Sequence, residues 1–225
     1  MITGMDMESS LFSAELLKIK QAAADVLELA LTRPKGFSFY PGQYITVVYG
    51  GLKRDYTLIS GPDDPELSIL VKRIDGGAFS TILKTWAPGI TVHVNGPYGY
   101  FTCRETELPI LVMATGTGIA PFISMMKSGM KPVYCLYGVS LLKDAVFVSF
   151  LKDHSHTFTL CLSRESTQDT ETVFFKGHVT DYLKTHVKKA AYDVYLCGNS
   201  AMIREATHII DGLFPDSRIY SEAFF

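Results

Sequence analysis

The residues best suited to chemistry lie where apolar runs stop. Residues 109–114 run into Thr115-Gly116-Thr117-Gly118, and Ile119-Ala120-Pro121 then opens a helical stretch. Glycines let a ligand reach backbone N–H groups, and a helix start favours negative charge, so this turn suits a phosphate. Pro121 fits a first helical turn, where its missing N–H costs nothing. Four more runs end alike: residues 133–137 at Gly138, 158–162 at Ser163-Arg164, 194–196 at Cys197-Gly198-Asn199, and Ile219-Tyr220 at Ser221-Glu222. As parallel strands they line up these endings on one sheet edge, where open α/β sheets bind ligands. The chemistry expected there is capture of a dinucleotide.

Two earlier stretches have the same character. Arg54-Asp55-Tyr56-Thr57 combines a guanidinium fork suited to a pyrophosphate, a ring able to stack on a flat ligand, and a neighbouring hydroxyl. Gly76-Gly77-Ala78-Phe79-Ser80 leads into a short helix, giving free N–H groups and a serine at its start. Each alone also fits an ordinary strand or turn. Two phosphate-binding helix starts in one chain point to two nucleotide ligands.

The elements that must position these residues differ between the halves. Strand patterns at 13–20, 25–31, 44–49, 56–59, 67–73 and 91–94 are separated by turns such as Pro41-Gly42 and Gly50-Gly51. Short strands at this spacing indicate an antiparallel barrel or sandwich. One helix, 80–86, interrupts them and stops at Pro88-Gly89. From residue 109 strands alternate with helices at 122–128, 147–153, 179–187 and 201–213, the pattern of a parallel sheet with crossover helices. The polar stretch 102–107 has neither period, so the expected domains are 1–103 and 104–225.

Composition sets limits. The 225 residues are 47% hydrophobic and 20% charged, ordinary for a globular protein. A net charge of −2 argues against a general nucleic-acid binder. No apolar run is long enough to span a bilayer, and Met1–Ser10 with Asp6 and Glu8 does not resemble a secretory signal. Cys103, Cys135, Cys161 and Cys197 are too scattered for a zinc or iron–sulfur site and read as reduced thiols of a cytoplasmic protein, expected to be a monomer. His154 and His156 read as loop residues, and no metal site is expected. Met125, Met126 and Met130 read as core.

At this point the chain resembles the ferredoxin–NADP reductase superfamily of flavoproteins. Arg54-x-Tyr56-Thr57 resembles its flavin motif, Gly77-x-x-Ser80 its flavin-pyrophosphate loop, and the 116–121 loop its nicotinamide-nucleotide turn. Cys197-Gly198-Asn199-Ser200-Ala201-Met202 matches its C-G-x-x-x-M element, and Glu222-Ala223-Phe224-Phe225 resembles the ending of its bacterial members. The resemblance implies a Greek-key barrel holding FAD, and an α/β domain taking NADPH or NADH as substrate. It implies that Arg54 binds the FAD pyrophosphate, Tyr56 packs on the isoalloxazine and Thr57 bonds the ring nitrogen that accepts hydride. Val71 and Lys72 would lie near the flavin through their backbones. Gly77, Ala78, Phe79 and Ser80 would hold phosphate, as would Thr115, Gly116, Thr117, Gly118 and Pro121 for the second nucleotide, with Gly198 and Met202 beside them. Cys197 and Glu222 would flank the nicotinamide, and Phe224 would stack on the other flavin face until displaced.

Some positions depart from that pattern. Ser163 and Arg164 stand where NADP-preferring members surround the 2′-phosphate, which favours NADPH. Ser140 stands where an arginine is frequent, and a histidine, His178, stands at a similar basic position, so NADH stays open. The expected electron acceptor is a redox protein: ferredoxin, flavodoxin or an oxygenase component. Lys18, Lys20, Arg33, Lys35, Lys53, Arg54, Lys72 and Arg73 offer a basic face for an acidic carrier. A flavin reductase using flavin as a diffusing substrate, or a non-catalytic nucleotide-binding regulatory module, are the alternatives.

Overall fold

A computed structural model describes residues 11–165 and 174–224. Met1–Ser10 and Phe225 lie outside the described residues. The first half holds strands β1 (Leu11–Ala23), β2 (Val26–Thr32), β3 (Tyr44–Tyr49), β4 (Leu52–Thr57), β5 (Glu66–Lys72) and β6 (Thr91–Tyr98), with helix α1 (Ala78–Leu83) between the last two. They form one antiparallel sheet in the order β4-β3-β6-β1-β2-β5. Its two edges meet just past β4: Leu58 bridges Ile69, and the Ile59 N–H donates to the Ser68 carbonyl at 2.8 Å, so the sheet closes as a barrel. Alternation drives the closure. Ala14 and Leu16 of β1 point inward with Ile45, Leu67, Ile69, Val92 and Val94, all essentially without exposure. Each fully buried aliphatic side chain of this kind is worth about 1.5–3 kcal/mol.

The second half is a parallel sheet of β7 (Ile110–Thr115), β8 (Tyr134–Val139), β9 (Thr157–Leu162), β10 (Phe175–Lys176), β11 (Asp193–Gly198) and β12 (Arg218–Ala223), in the order β10-β9-β8-β7-β11-β12. Helices α2 (Ala120–Lys127), α3 (Val148–Asp153), α4 (Val179–His186) and α5 (Ser200–Leu213) connect them. Every residue of β11 is buried, as expected of a central parallel strand covered on both faces. On α5, Met202, Ala206, Ile209 and Ile210 recur at helical spacing and form its buried stripe. Buried Asp193 is neutralised by Arg218, whose Nε and Nη2 donate to its two oxygens at 2.6 and 2.8 Å and tie the starts of β11 and β12.

The strand order reverses between β7 and β11, which places the endings of these two strands side by side. Barrel and sheet share one apolar cluster in which Ile59, Leu70 and Phe101 meet Phe122, Met125 and Tyr195. Phe101 makes edge contacts with Phe122 and Tyr195 at ring separations of 5.8 and 5.9 Å.

β1 and β6 run longer than the expected 13–20 and 91–94, and three further elements differ from expectation. The fourth strand starts at Leu52, four residues early, because Lys53, Arg54 and Asp55 are exposed on it and carry no apolar alternation. The barrel helix runs Ala78–Leu83 instead of 80–86, with backbone bonds Thr85 N–H to Ile82 and Trp86 N–H to Leu83 continuing it as a tighter turn. The two-residue β10 is too short to leave any periodicity in sequence.

Candidate functional site

Two adjoining clefts run along the junction of the domains. The first, about 550 Å³, is lined by Tyr44, Arg54, Tyr56, Thr57, Lys72, the 77–80 turn and, from the other half, Thr117, Glu222 and Phe224. The second, about 680 Å³, runs along the strand endings of the parallel sheet. Lys72, Thr117 and Phe224 border both.

In the first cleft β4 and α1 supply the floor. Tyr56 and Phe79 are in ring contact at 5.7 Å, and burial raises the Tyr56 hydroxyl well above its ordinary pKa. Thr57 is buried at the end of β4 and still faces the cleft. Arg54 is exposed, and among the described residues its Nη1 is engaged only by the neighbouring Lys53 carbonyl at 2.7 Å, which leaves most of its donor fork for a ligand. Gly77 is the N-cap of α1 and has no side-chain cap on it. Ser80 lies one turn inside the helix, and its Oγ accepts the Ile74 N–H at 2.8 Å, so the serine shapes the 74–80 turn as well as lining the cleft.

The second cleft is built at the strand switch. The Asn199 N–H donates to Thr115 Oγ1 at 2.9 Å, locking the β11 ending to that of β7. Gly116–Ile119 forms a 3₁₀ turn into α2, with Pro121 buried in the first turn of that helix. Asn199 caps α5 by accepting the Ala201 N–H at 2.8 Å. Ser140, Ser163, His178 and Met202 line the walls. Arg164 is exposed beside Ser163 and is not part of the wall; its N–H donates to the Ser140 carbonyl at 2.9 Å.

β12 carries residues across the junction. Its Glu222 pairs in register with Cys197 of β11, and the Phe224 N–H donates to the Gly198 carbonyl at 2.9 Å. Glu222 Oε2 is buried with no hydrogen-bond partner among the described residues, while Oε1 points toward Gly99 of the barrel. Burial pushes the Glu222 carboxyl up to about 6. The same charge, after burial itself and Asp55, raises Tyr44, whose ring packs on Tyr98 at 5.7 Å. Cys197 is fully buried and lies on neither wall; burial and then Glu222 raise its thiol above the ordinary value. Val71 likewise points into the barrel core. Tyr44, Asp55, Leu70, Ile74 and Ala120 also line the first cleft. Asp55 and Ala120 fall inside the 54–57 and 116–121 motifs, whereas Tyr44, Leu70 and Ile74 lie in no motif and left no local signal. His154 is stacked on Phe150 at 4.0 Å, with Nδ1 bonded to the Phe150 carbonyl.

Comparisons with known proteins agree with this division of labour. The oxidoreductase FAD-binding domain matches residues 13–103, and the oxidoreductase NAD-binding domain matches residues 112–208. The toluate 1,2-dioxygenase electron transfer component of Pseudomonas putida is 28% identical over 95% of this chain and 67% of its own length. Ferredoxin–NADP reductase B of Sorangium cellulosum is 33% identical over 60% of this chain and 61% of its own length. The chain thus spans about two thirds or less of these curated relatives. Among solved structures, a ferredoxin NADP+ reductase from Neisseria gonorrhoeae with bound FAD and NADP superposes with a TM-score of 0.84, covering 97% of this chain and all of that one at 20% identity. An Amycolatopsis cytochrome P450 reductase gives 0.84 at 23% identity, covering 99% and 73%. A closed antiparallel barrel, a switch-point cleft beside it and two domain matches in series place this chain in the ferredoxin–NADP reductase superfamily of FAD- and NAD(P)-binding oxidoreductases.

Proposed function

We propose that the protein is a reductase in which residues 1–103 hold FAD and residues 104–225 present NAD(P)H, NADPH being preferred, for hydride transfer and onward delivery of electrons to a ferredoxin, flavodoxin or oxygenase component. The observation that carries this reading is the meeting of the two clefts at Lys72, Thr117 and Phe224. The donor set fits the flavin: an exposed guanidinium, a free helix start and an aromatic floor suit a pyrophosphate and a flat ring, and Glu222 Oε2 is an orphaned buried acceptor beside them. FAD supplies two-electron acceptance from the nicotinamide and release of electrons singly or in pairs. The chain's own residues do the rest. Arg54 and the 77–80 turn anchor the dinucleotide, and Tyr56 supports the ring. Thr57 offers its hydroxyl to the reacting edge. The Thr115–Gly118 loop and Gly198 take the second dinucleotide, and Phe224 must move aside for its nicotinamide. Holding the two rings in contact is the main contribution to rate.

The setting we infer is a cytoplasmic monomer. All four cysteines are free thiols, one of them, Cys103, exposed, which suits a reducing compartment. Among the described residues no helix is long and apolar enough to cross a membrane.

The purified protein is expected to be yellow and to bleach on addition of NADPH; a colourless protein that reduces added riboflavin would favour the diffusing-flavin alternative. A second check needs no turnover. Trp86 is the single tryptophan, buried and 5.6 Å from Phe79, itself a wall of the first cleft. Loading FAD into apoprotein is expected to quench most of its emission by energy transfer, and unchanged emission would place FAD elsewhere. Arg164→Ala tests the nucleotide preference. It is expected to weaken NADPH about tenfold or more, the loss of one charge-assisted contact, and to leave NADH nearly unchanged. Equal effects on both nucleotides would discard a 2′-phosphate role.

A further inference from the structure

Helix α2 has two ends with different duties. Its N-terminal side follows the Gly116–Ile119 turn of the nucleotide cleft. Its C-terminal half is fastened to the barrel. Ser124, with no solvent exposure, donates through Oγ to the Ser60 carbonyl at 2.7 Å. One turn on, Lys127 Nζ reaches Asp64 Oδ2 at 2.9 Å. Between them Met125 Cε lies so near the barrel that a Cβ on Gly42 would sit 2.6 Å from it.

The barrel side of this joint is itself held. Asp64 Oδ2 also accepts the Gly61 N–H at 2.9 Å, and Arg33 donates to the carbonyls of Phe37, Pro62 and Asp64. The Ser60 Oγ accepts the Ser68 N–H at 3.2 Å. The 60–64 segment is therefore rigid, and it begins three residues after Thr57, the hydroxyl at the end of β4 in the first cleft. The Ser60–Ser124 bond is thus a short bridge between the segment that follows the cleft-lining end of β4 and the helix that follows the Gly116–Ile119 turn. A buried hydroxyl inside an otherwise apolar helix face carries a desolvation cost unless its bond is made, so the contact is made in one geometry or lost.

We propose that Ser124 is a positioning residue, and that its bond to Ser60, backed by the Lys127–Asp64 pair, sets the distance and angle at which the nicotinamide ring meets the flavin ring. The proposal rests on the reductase reading above. Neither residue touches a ligand; both act through Thr57 and the Thr115–Gly118 turn.

The test is Ser124→Ala in the FAD-loaded full chain, with Asp64→Asn as a second variant at a partly exposed site that leaves the buried joint intact. Stopped-flow reduction by NADPH is expected to show the hydride-transfer rate constant of Ser124→Ala falling about 5- to 20-fold, with FAD retention and the dissociation constant of NADPH within twofold of the parent. The long-wavelength charge-transfer absorbance of the nucleotide–flavin complex is expected to weaken in parallel. In apoprotein, amide exchange at residues 58–64 and along α2 is expected to quicken together. Asp64→Asn is expected to give a smaller slowing in the same direction. A Ser124→Ala protein with a lower melting temperature but unchanged rate constant and charge-transfer band would overturn the proposal and leave the serine a purely structural residue. Parent protein that NADPH fails to bleach would instead refute the reductase reading, and the amide-exchange result would then decide only whether the joint couples the two segments.

Discussion

Gly118→Ala is expected to abolish reduction of the flavin by NAD(P)H and to cost about 3 kcal/mol or more of stability. A Cβ on Gly118 would lie 2.6 Å from the Cys197 carbonyl oxygen and 2.6 Å from the Gly198 Cα. Both are backbone atoms of the central strand β11, so neither can turn away as a side-chain tip would. Relief requires the Gly116–Ile119 turn to move off the end of β11, and the second cleft is lined by both that turn and the β11 ending. Gly116→Ala is the matched control. Its φ of +55° strains an alanine, yet a Cβ there meets nothing within 4 Å, so only the backbone cost of about 1–2 kcal/mol is expected. Urea unfolding and NAD(P)H titration of the two variants check this. Equal losses for both would mean that the crowding at Gly118 is relieved by movement the structure does not suggest.

The second large effect concerns Glu222. Hydride departure leaves positive charge on the nicotinamide, and an ionised carboxylate beside it in a half-buried cleft stabilises that charge as it develops. Since burial holds the Glu222 carboxyl at about 6, flavin reduction is expected to accelerate as pH rises through about 6 and to level off above it. Glu222→Gln is expected to remove that step and to run about 100-fold slower at pH 8, while matching the parent well below pH 6. Rapid-mixing reduction across pH 5–8 provides the measurement, and a variant that keeps the step would assign it to another group. Stability moves the opposite way. The folded pKa lies above the ordinary 4.5, so burial favours the neutral acid; that contribution is complete below 4.5 and is lost as pH rises through about 6. The buried Oε2, unpaired among the described residues, thus costs stability at the pH where the proposed role needs it ionised.

Much of this site was legible because its signals are local. A glycine turn between a β pattern and a helix pattern needs no partner to be recognised, and the 115–121 and 76–80 stretches fell on the two clefts. The parallel half was clear for a similar reason: strands buried on both faces leave unbroken apolar runs. What sequence could not provide is contact at a distance. Glu222 opposite Gly99 and Tyr44, and Ser124 opposite Ser60, join residues 60 or more positions apart, and nothing in either neighbourhood marks the other. Burial was the other blind spot. Cys197 sits in a motif that points to the ligand, while its side chain is fully buried on β11. The start of β4 was placed at Tyr56 instead of Leu52 because Lys53, Arg54 and Asp55 carry no apolar alternation to mark it.

The strand orders also imply a timetable for synthesis. All six barrel strands lie between Leu11 and Tyr98, with β1 and β3 both waiting for β6. The barrel can therefore close while the later residues are still being added at the ribosome, since domains tend to fold as units from the N-terminal side. The parallel sheet has no such luxury. Its first strand, β7, lies between β8, which follows within about twenty residues, and β11, which arrives about eighty residues later. One flank of β7 thus stays bare through most of the second half's synthesis, and a nascent chain halted before Asp193 would present that flank as a sticky edge.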